Sequence, residues 1–383
     1  MTAPGTTDRV EGALAGYAAH FIEPAGYADF ARYGPPSRDV VERTSRVMHD
    51  LAAGRVSVDE LSPTEGRARE LAARATMRPS AEHVAIASNT SSALYQLAYS
   101  LPRGELIVSP NEFPANVYPW ARAADLLPGV TVRWLDTPDG RVTPEAVAGA
   151  IGPRTVGLAV SGVDSRTGFR ADLPGLRQVL GDRLLIVDAI QAFGVTDLDW
   201  SLTDAVAVGG QKWLRASWST GFLSLSTRAL SVLSHGLTGW SGVEDPTRYD
   251  GLLHDPLPSA RRFTVTMPDL VAATALEAAL ELVELGTIEA IARRVDRVAG
   301  ELLAVVEECG GKPVVPLAPG ERAGILTFTV PYADASAVGS ALAARGIVTT
   351  TREQYVRMSP HATTPETLAD ELRASLTALR RSR

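Results

Sequence analysis

The sequence predicts an α/β fold in which a large domain with a mainly parallel sheet precedes a smaller α+β domain. Short apolar runs alternate with helical or loop segments over the first two thirds of the chain, which is typical of a sheet covered by helices. The 383 residues exceed what one hydrophobic core usually holds, so two domains are expected. An apolar content of 45% and a charged content of 21% are those of a globular protein.

The first segment, 1–35, is expected to be an arm with one short helix that ends in the turn "YGPPS". The large domain is expected over 36–265. It begins with two predicted helices, in 37–54 and 62–77, each entered through a serine (Ser37 and Ser62) that can cap it. Its strands are predicted at 83–87, 105–109, 130–135, 155–160, 183–189, 204–209 and 221–226.

The segment 266–383 is predicted to hold a long connecting helix, continuing to about residue 309, and the small α+β domain. We expect this domain to pack with the N-terminal segment. Its extended runs are "KPVVPL", "AGILTFTV", "GIVTT" and "YVRMS", with a helix at 334–345 and a final helix.

Charge and composition exclude several classes of function. The net charge of −7 and a pI near 5.5 argue against nucleic acid or an anionic membrane as a partner. The chain has no apolar run of the roughly 18 residues that a membrane span needs, and its polar N-terminus lacks a signal-peptide pattern, so a cytoplasmic location is expected. Cys309 is the only cysteine, which excludes an intrachain disulfide and a structural cysteine–zinc site; no metal is expected.

The chain has only two lysines among its 37 basic residues, Lys212 and Lys312. Because only a primary amine readily forms a Schiff base, a lysine in an arginine-rich chain is a candidate for that chemistry. The alternative is that both lysines are present by chance and have no chemical role. Lys212 lies in "DAVAVGGQKWL", where Gly209 and Gly210 permit a close backbone approach. The apolar residues after it should lower the lysine pKa by desolvation. Nothing comparable surrounds Lys312.

Three further motifs follow predicted strands, where ligands bind in open α/β sheets. The segment "SNTSS" (88–92) begins a helix and suits either a phosphate or a plain N-cap. Phe113, in "NEFPAN", suits either stacking on a flat ring or the core. Asp188 and Gln191, in "VDAIQAFG", suit a planar heterocycle, or Asp188 caps the next helix.

Taken in order, a phosphate cap, a stacking aromatic, an aspartate and a lysine point to pyridoxal phosphate. Asp188 ends an apolar run typical of a buried parallel strand, and an unpaired buried charge costs several kcal/mol, roughly. The protonated ring nitrogen of the cofactor would be its partner and would let the ring accept electrons from a substrate carbanion.

From about residue 30 onward the chain resembles the class V pyridoxal-phosphate enzymes, the group of cysteine desulfurases, kynureninases and isopenicillin N epimerases. The strongest segments are "VDAIQAFG" and "GGQKWL". Others are "YGPPSR", "SNTSSAL", "NEFPAN", "GVDSRTGFRADL", "GWSG", "TVTMP" and "YVRMSP". The resemblance implies an aspartate aminotransferase-like fold, fold type I.

The resemblance also implies roles for individual residues. Lys212 would form the Schiff base and act in catalysis with Asp188, which would pair with the ring nitrogen. The other cofactor contacts would be Gln191 and Ser165 near the ring oxygen, Phe113 on the ring face, and Thr90, Ser91, Gln211 and Trp240 at the phosphate. Thr266 would reach the phosphate of the neighbouring subunit, which implies a homodimer. Ser165 stands where relatives often have asparagine, and Gly209 where some have a phosphate-binding serine.

Arg357, in "YVRMSP", matches the family arginine that binds the substrate α-carboxylate, so the expected partner is a small-molecule substrate, an α-amino acid. Tyr33, Tyr27, Trp218 and "GVEDPTRYD" are expected to set its side-chain specificity. Desulfurases carry a loop cysteine shortly before this arginine, and "RGIVTTTREQYVR" has none. That stretch, with "RMSPH", resembles the carbon–sulfur lyase of ergothioneine biosynthesis and related enzymes of actinobacterial secondary metabolism.

We therefore expect β-elimination from a cysteine S-conjugate. An aminotransferase, a decarboxylating oxidative deaminase or an amino-acid epimerase would use the same residues. A cofactor-free binding or structural protein with the same fold is the alternative from another class, and a yellow purified protein would exclude it.

Overall fold

The computed structural model describes residues 6–137 and 139–382, with side chains from residue 12 onward. Its large sheet has seven strands in the order β1-β7-β6-β5-β4-β2-β3. The strands are β1 (Val84–Ile86), β2 (Gly104–Val108), β3 (Val130–Trp134), β4 (Thr155–Ser161), β5 (Leu184–Asp188), β6 (Ala205–Gly209) and β7 (Gly221–Leu225). Strands β2 to β6 run parallel, and β7 is antiparallel to both of its neighbours. The predicted mainly parallel sheet is confirmed.

Both faces of this sheet are covered. Every residue of β5 and β6 is buried, as the continuous apolar runs predict. Leu185 and Val187 point into one core cluster, whereas Leu184 and Ile186 point into the other. The helices are α1 (Thr6–Ala18), α2 (Arg38–Ala52), α3 (Val58–Ala75), α4 (Thr90–Ala98), α5 (Tyr118–Leu126), α6 (Pro144–Ala150), α7 (Leu173–Leu180), α8 (Thr227–Val232), α9 (Leu270–Gly286), α10 (Ile288–Glu308), α11 (Ala335–Ala343) and α12 (Thr367–Arg381).

The start of α3 corrects a prediction. Ser37 caps α2 as expected, but Ser62 does not cap the next helix. Helix α3 begins at Val58, and Ser57 caps it in a reciprocal capping box with Glu60. The two hydrogen bonds of that box outweigh the single cap that Ser62 could offer.

The predicted long helix to residue 309 is two helices. Thr287 separates α9 from α10 with a φ of 55°, a left-handed conformation that a continuous helix does not contain. Its hydroxyl accepts the backbone N–H of Ala290 and caps α10. Helix α9 packs on α2 and α3, whereas α10 packs on α12, so the break divides the segment between the two halves of the protein.

The second sheet is antiparallel, with the strand order β10-β11-β9-β8. Its strands are β8 (Lys312–Pro313), β9 (Leu326–Thr329), β10 (Thr350–Thr351) and β11 (Val356–Met358). The N-terminal arm pairs with this region through bridges from Tyr27 to Val348 and from Asp29 to Ser359. In the described ranges, no helix has both the length and the apolar character that crossing a bilayer requires.

Candidate active site

Asp188 is the last residue of β5 and is almost completely buried. Its Oδ1 accepts the backbone N–H of Ile190 at 3.0 Å, and the residues that follow form turns, so it does not cap a helix. Burial raises the pKa of Asp188 to about 6, while the nearby Lys212 acts in the opposite direction. Among the described residues no arginine or lysine forms an ion pair with this carboxylate.

Lys212 lies in the loop after β6, on the same edge of the sheet. Its Nζ is 5.5 Å from the centroid of the Phe113 ring. Burial lowers the pKa of Lys212 to about 8; Asp188 raises this pKa and Arg357 lowers it further. The predicted depression of the lysine pKa is therefore confirmed. Lys312 is exposed on β8, in the other sheet.

The start of α4 meets the end of β6. Asn89 caps α4 by accepting the N–H of Ser92 at 2.9 Å, which leaves Thr90 and Ser91 as the first two helical residues. The Oγ1 of Thr90 is buried and has no hydrogen-bond partner within the described ranges. A Cβ at Gly209 would lie 2.7 Å from this oxygen and 2.8 Å from Gln211 Oε1. The predicted close approach at this glycine is confirmed, and it brings the threonine, the glutamine and the helix start together.

Phe113 is 48% exposed, so it is not a core aromatic. The preceding residue, Glu112, lies behind it and was not singled out by the sequence. The carboxylate of Glu112 accepts hydrogen bonds from the backbone N–H of Ser161, at 2.9 Å, and from its hydroxyl. Burial raises the pKa of Glu112 to about 7, and the charge of Asp188 raises it further. Ser161 is the residue of β4 that pairs with Asp188.

Gln191 is buried with both ends of its amide engaged. Its Oε1 accepts the indole N–H of Trp213 at 2.7 Å, and its Nε2 donates to the carbonyl of Ala31 at 3.0 Å. Trp213 stacks in turn on the buried ring of His361. These contacts fix the position of the amide, and each amide group retains one unused hydrogen-bonding direction.

Arg357, on β11, is buried beside the loop after β4. Its Nη1 donates to the carbonyl of Ser165 at 2.9 Å, and its Nη2 donates to Thr350 Oγ1 at 3.3 Å. Its Nε is buried and has no partner in the described part of the chain. Asp29 Oδ1 lies 3.6 Å from Nη2. The structure thus brings together two residues predicted separately, the arginine and Ser165.

Tyr33 lies beside the lysine loop. The N–H of Gly34 donates to the Gln211 carbonyl at 2.9 Å, which anchors the arm there. The ring of Tyr33 stacks on that of Trp218, with centroids 5.4 Å apart and an interplanar angle of 17°.

Trp240 and Thr266 form a separate pair. The indole N–H of Trp240 donates to Thr266 Oγ1 at 3.2 Å, and both side chains are exposed. The sequence predicted Trp240 and Thr266 for the phosphates of different subunits, and the hydrogen bond places the two side chains next to each other within one chain. Within the described residues, no hydrogen bond joins either side chain to Lys212.

The residues present fit the predicted cofactor. Two buried polar atoms, Thr90 Oγ1 and Arg357 Nε, have no hydrogen-bond partner among the residues that the structure describes, as expected where a phosphate and a carboxylate bind. A half-buried amine with a lowered pKa lies near a buried carboxylate that lacks an ion pair. Sequence reasoning missed Glu112 and Asp29. Glu112 could have been found by the criterion that selected Asp188, an acid just beyond a strand.

Comparisons with known proteins bear on the family and the fold of the chain. A family model described as aminotransferase class-V matches residues 58–380. The chain is 28% identical to kynureninase of Deinococcus radiodurans over 266 residues, covering 66% of this chain and 63% of that protein. It is 31% identical to isopenicillin N epimerase of Streptomyces clavuligerus over 222 residues, which cover 54% of this chain and 55% of that protein. The chain therefore spans less than two thirds of either relative.

Solved structures share the fold. The cystine C–S lyase C-DES, in complex with cysteine persulfide, has a TM-score of 0.81 at 20% identity, covering 93% of this chain and 97% of that one. The cysteine desulfurase CsdA from Escherichia coli has a TM-score of 0.81 at 22% identity, covering 96% and 98%. The expected aspartate aminotransferase-like fold is confirmed.

Proposed function

The chain belongs to the class-V aminotransferase family, and from this premise we propose that it eliminates the sulfur substituent of a cysteine S-conjugate. Membership in this family supports a pyridoxal-phosphate-dependent lyase or transferase with a small-molecule amino-acid substrate. The reaction type and the roles of individual residues are the proposal. The buried position of Cys309 is the observation that favours elimination over sulfur abstraction by the protein.

Pyridoxal 5′-phosphate is the cofactor. We assign its covalent attachment to Lys212 and its ring nitrogen to Asp188, a carboxylate whose pKa is raised by burial. When bound, the cofactor supplies an electron sink for negative charge that develops on the substrate Cα. The remaining contacts that we assign are Phe113 on the ring face, Gln191 and Ser165 near the ring oxygen, and Thr90, Ser91 and Gln211 at the phosphate.

The chain's own residues would handle the substrate as follows. Arg357 binds the α-carboxylate through its free Nε edge. With a pKa of about 8, the amine of Lys212 is partly unprotonated near neutral pH and can hold the Cα proton. Tyr33 and Trp218 form a stacked aromatic wall beside the lysine loop, which suits the substituent of the substrate.

Cys309 argues against sulfur abstraction by the protein. It caps α10 and is buried in the core cluster of the small domain with Leu302, Phe328 and Leu372. The loop 352–355, which leads to Arg357, contains no cysteine. A thiol nucleophile is therefore absent where desulfurases carry one, and release of the intact sulfur substituent is the favoured outcome.

Product analysis tests the reaction. With S-methyl-L-cysteine and one water, elimination breaks the Cβ–S bond and gives methanethiol, pyruvate and ammonia in equal amounts without an oxo-acid acceptor. An aminotransferase would stall after one turnover until an oxo acid was added. A decarboxylating deaminase would release carbon dioxide with the sulfur still attached, and an epimerase would give the D-isomer. Turnover that depends on an oxo-acid acceptor would overturn the proposal. The Lys212→Ala variant is the control, because it measures any release of methanethiol that the enzyme does not catalyse.

We also propose a homodimer in which Thr266 reaches the neighbouring site, together with Trp240, to which it is bonded. The chain has an exposed apolar surface formed by Val41, Met48, Trp218, Val265 and Met267. Burial of this surface by a second subunit would support a dimer. Mixing inactive Lys212→Ala subunits with weakened Thr266→Ala subunits should restore activity. One mixed site then combines an intact lysine with an intact threonine from the partner. No recovery on mixing would contradict a shared site.

A further inference from the structure

Asp29 lies beside the arginine that we propose binds the substrate carboxylate. Its side chain is buried, and its Oδ1 accepts a hydrogen bond from Thr350 Oγ1 at 2.7 Å. The same oxygen lies 3.6 Å from Nη2 of Arg357. The proposed reaction gives this carboxylate no task.

The backbone holds Asp29 in place independently of that ion pair. Asp29 forms a β-bridge with Ser359, the N–H of Phe30 donates to the Ser359 carbonyl at 3.2 Å, and the N–H of Ser359 donates to the Ala28 carbonyl at 2.7 Å. The carboxylate therefore stays beside Arg357 whether or not its charge is compensated.

Arg357 retains one donor edge for a ligand. Its Nη1 and Nη2 have partners in Ser165 and Thr350, but its Nε is buried without one in the described structure. A substrate carboxylate bound there becomes a second anion on one buried cation. When two carboxylates share one desolvated cation, the charge of each disfavours ionisation of the other, so proton uptake by one of them becomes more favourable.

We propose that Asp29 is the resident counter-ion of Arg357 and takes up a proton when the substrate α-carboxylate binds. This inference rests on the proposed role of Arg357. The groups that face Asp29 are Arg357 from β11, Arg32 and Tyr27 from the arm, and Lys212 from the loop after β6. Burial already raises the pKa of Asp29, whereas Thr350 and Arg357 lower it. A second anion raises it further, so binding and protonation are linked.

Isothermal titration of the holoenzyme with L-alanine tests the linkage. L-alanine carries the α-carboxylate and has no leaving group on Cβ. Comparing heats in buffers of different ionisation enthalpy counts the protons taken up. We expect up to about one more proton per site in the parent than in Asp29→Asn. The matched control, Glu371→Gln, removes an exposed carboxylate on α12 and should behave as the parent.

Kinetics with S-methyl-L-cysteine give a second readout. Above the pKa of Asp29, the Asp29→Asn variant should have a KM about threefold to tenfold lower, because the substrate no longer shares the cation. Below that pKa the two KM values should converge. Thr350→Val keeps the carboxylate but removes its hydroxyl donor, so it should move this convergence to higher pH.

The outcomes separate the two proposals. Equal proton uptake by parent and Asp29→Asn, or a higher KM in the variant at every pH, overturns the role of Asp29. If Arg357→Ala binds L-alanine as tightly as the parent, the carboxylate site itself is wrong. Loss of binding in Arg357→Ala with no effect in Asp29→Asn leaves the arginine in its role and rejects only the counter-ion.

Discussion

The Nζ of Lys212 lies 5.5 Å from the centroid of the Phe113 ring, although the two residues are 99 positions apart in the chain. The lysine follows β6 and the phenylalanine follows β2; β5 and β4 lie between these strands in the sheet, so the loops that follow the strands complete the approach. A flat ring attached to Lys212 would therefore have the Phe113 ring against one of its faces.

Replacement of that lysine tests covalent attachment. Lys212→Ala should abolish turnover and leave the fold intact, because the Lys212 side chain makes no hydrogen bond to the described residues. Borohydride reduction of the parent enzyme followed by peptide mapping should label Lys212. A label on the exposed Lys312 would contradict the assignment, and Lys312→Ala should keep full activity.

The partner of the ring nitrogen can be tested at Asp188. The Asp188→Asn variant should bind the cofactor but lose activity by about a hundredfold or more, because a neutral amide does not hold the nitrogen protonated. Cofactor content by absorbance and kcat on one preparation separate the two effects. Activity within a few-fold of the parent would rule out this role.

The phosphate site can be tested at Thr90, and a second buried threonine, Thr196, provides the control. Thr90→Val should raise the cofactor dissociation constant by about tenfold, since a charge-assisted hydrogen bond is lost. The thermal stability of the cofactor-free protein should not fall, because the hydroxyl has no partner there. Thr196→Val removes another buried, unpartnered hydroxyl and should leave cofactor binding unchanged. Equal effects of the two variants would argue against a phosphate at Thr90.

Glu112 predicts a pH-dependent cost to stability. Burial raises its pKa from 4.5 to about 7. Between these values the unfolded chain loses the proton while the folded protein keeps it, so the folded state loses stability as pH rises. The free energy of unfolding of Glu112→Gln, relative to that of the parent, should therefore increase by about 2 kcal/mol as the pH rises from 5 to 8, allowing for the partial exposure of Glu112.

Urea denaturation of the cofactor-free protein at several pH values measures this difference. Glu371→Gln removes an exposed carboxylate and is the control, because it should show no such trend. A constant difference between Glu112→Gln and the parent across the range would mean that Glu112 is ionised in the folded protein throughout.

Cys309 should be dispensable for catalysis. Cys309→Ser is expected to keep activity within about twofold and to cost about 1 kcal/mol of stability, because a hydroxyl replaces a thiol in an apolar core. Product assays and thermal denaturation check the two parts. Trapping a persulfide on Cys309 during turnover would restore the desulfurase alternative.

The sequence by itself determined the strands of the large sheet and the positions of the candidate cofactor residues that follow them. Buried parallel strands are continuous apolar runs, and Asp188 and Lys212 each lie at or just beyond such a run, so local pattern and position sufficed. The scarcity of lysine singled out both Lys212 and Lys312, and the sequence around Lys212 distinguished it from Lys312. These signals are local, and no tertiary contact is needed to see them.

Only the tertiary structure decided which other charges reach the site. Asp29 is 328 positions from Arg357, and Glu112 is 76 positions from Asp188, so neither pair leaves a periodic signal in the chain. The same holds for the bond between Trp240 and Thr266 and for the break at Thr287, where packing of α9 and α10 on different halves of the protein overrides a helical pattern. Charge coupling depends on distance in space and on desolvation, and folding sets both.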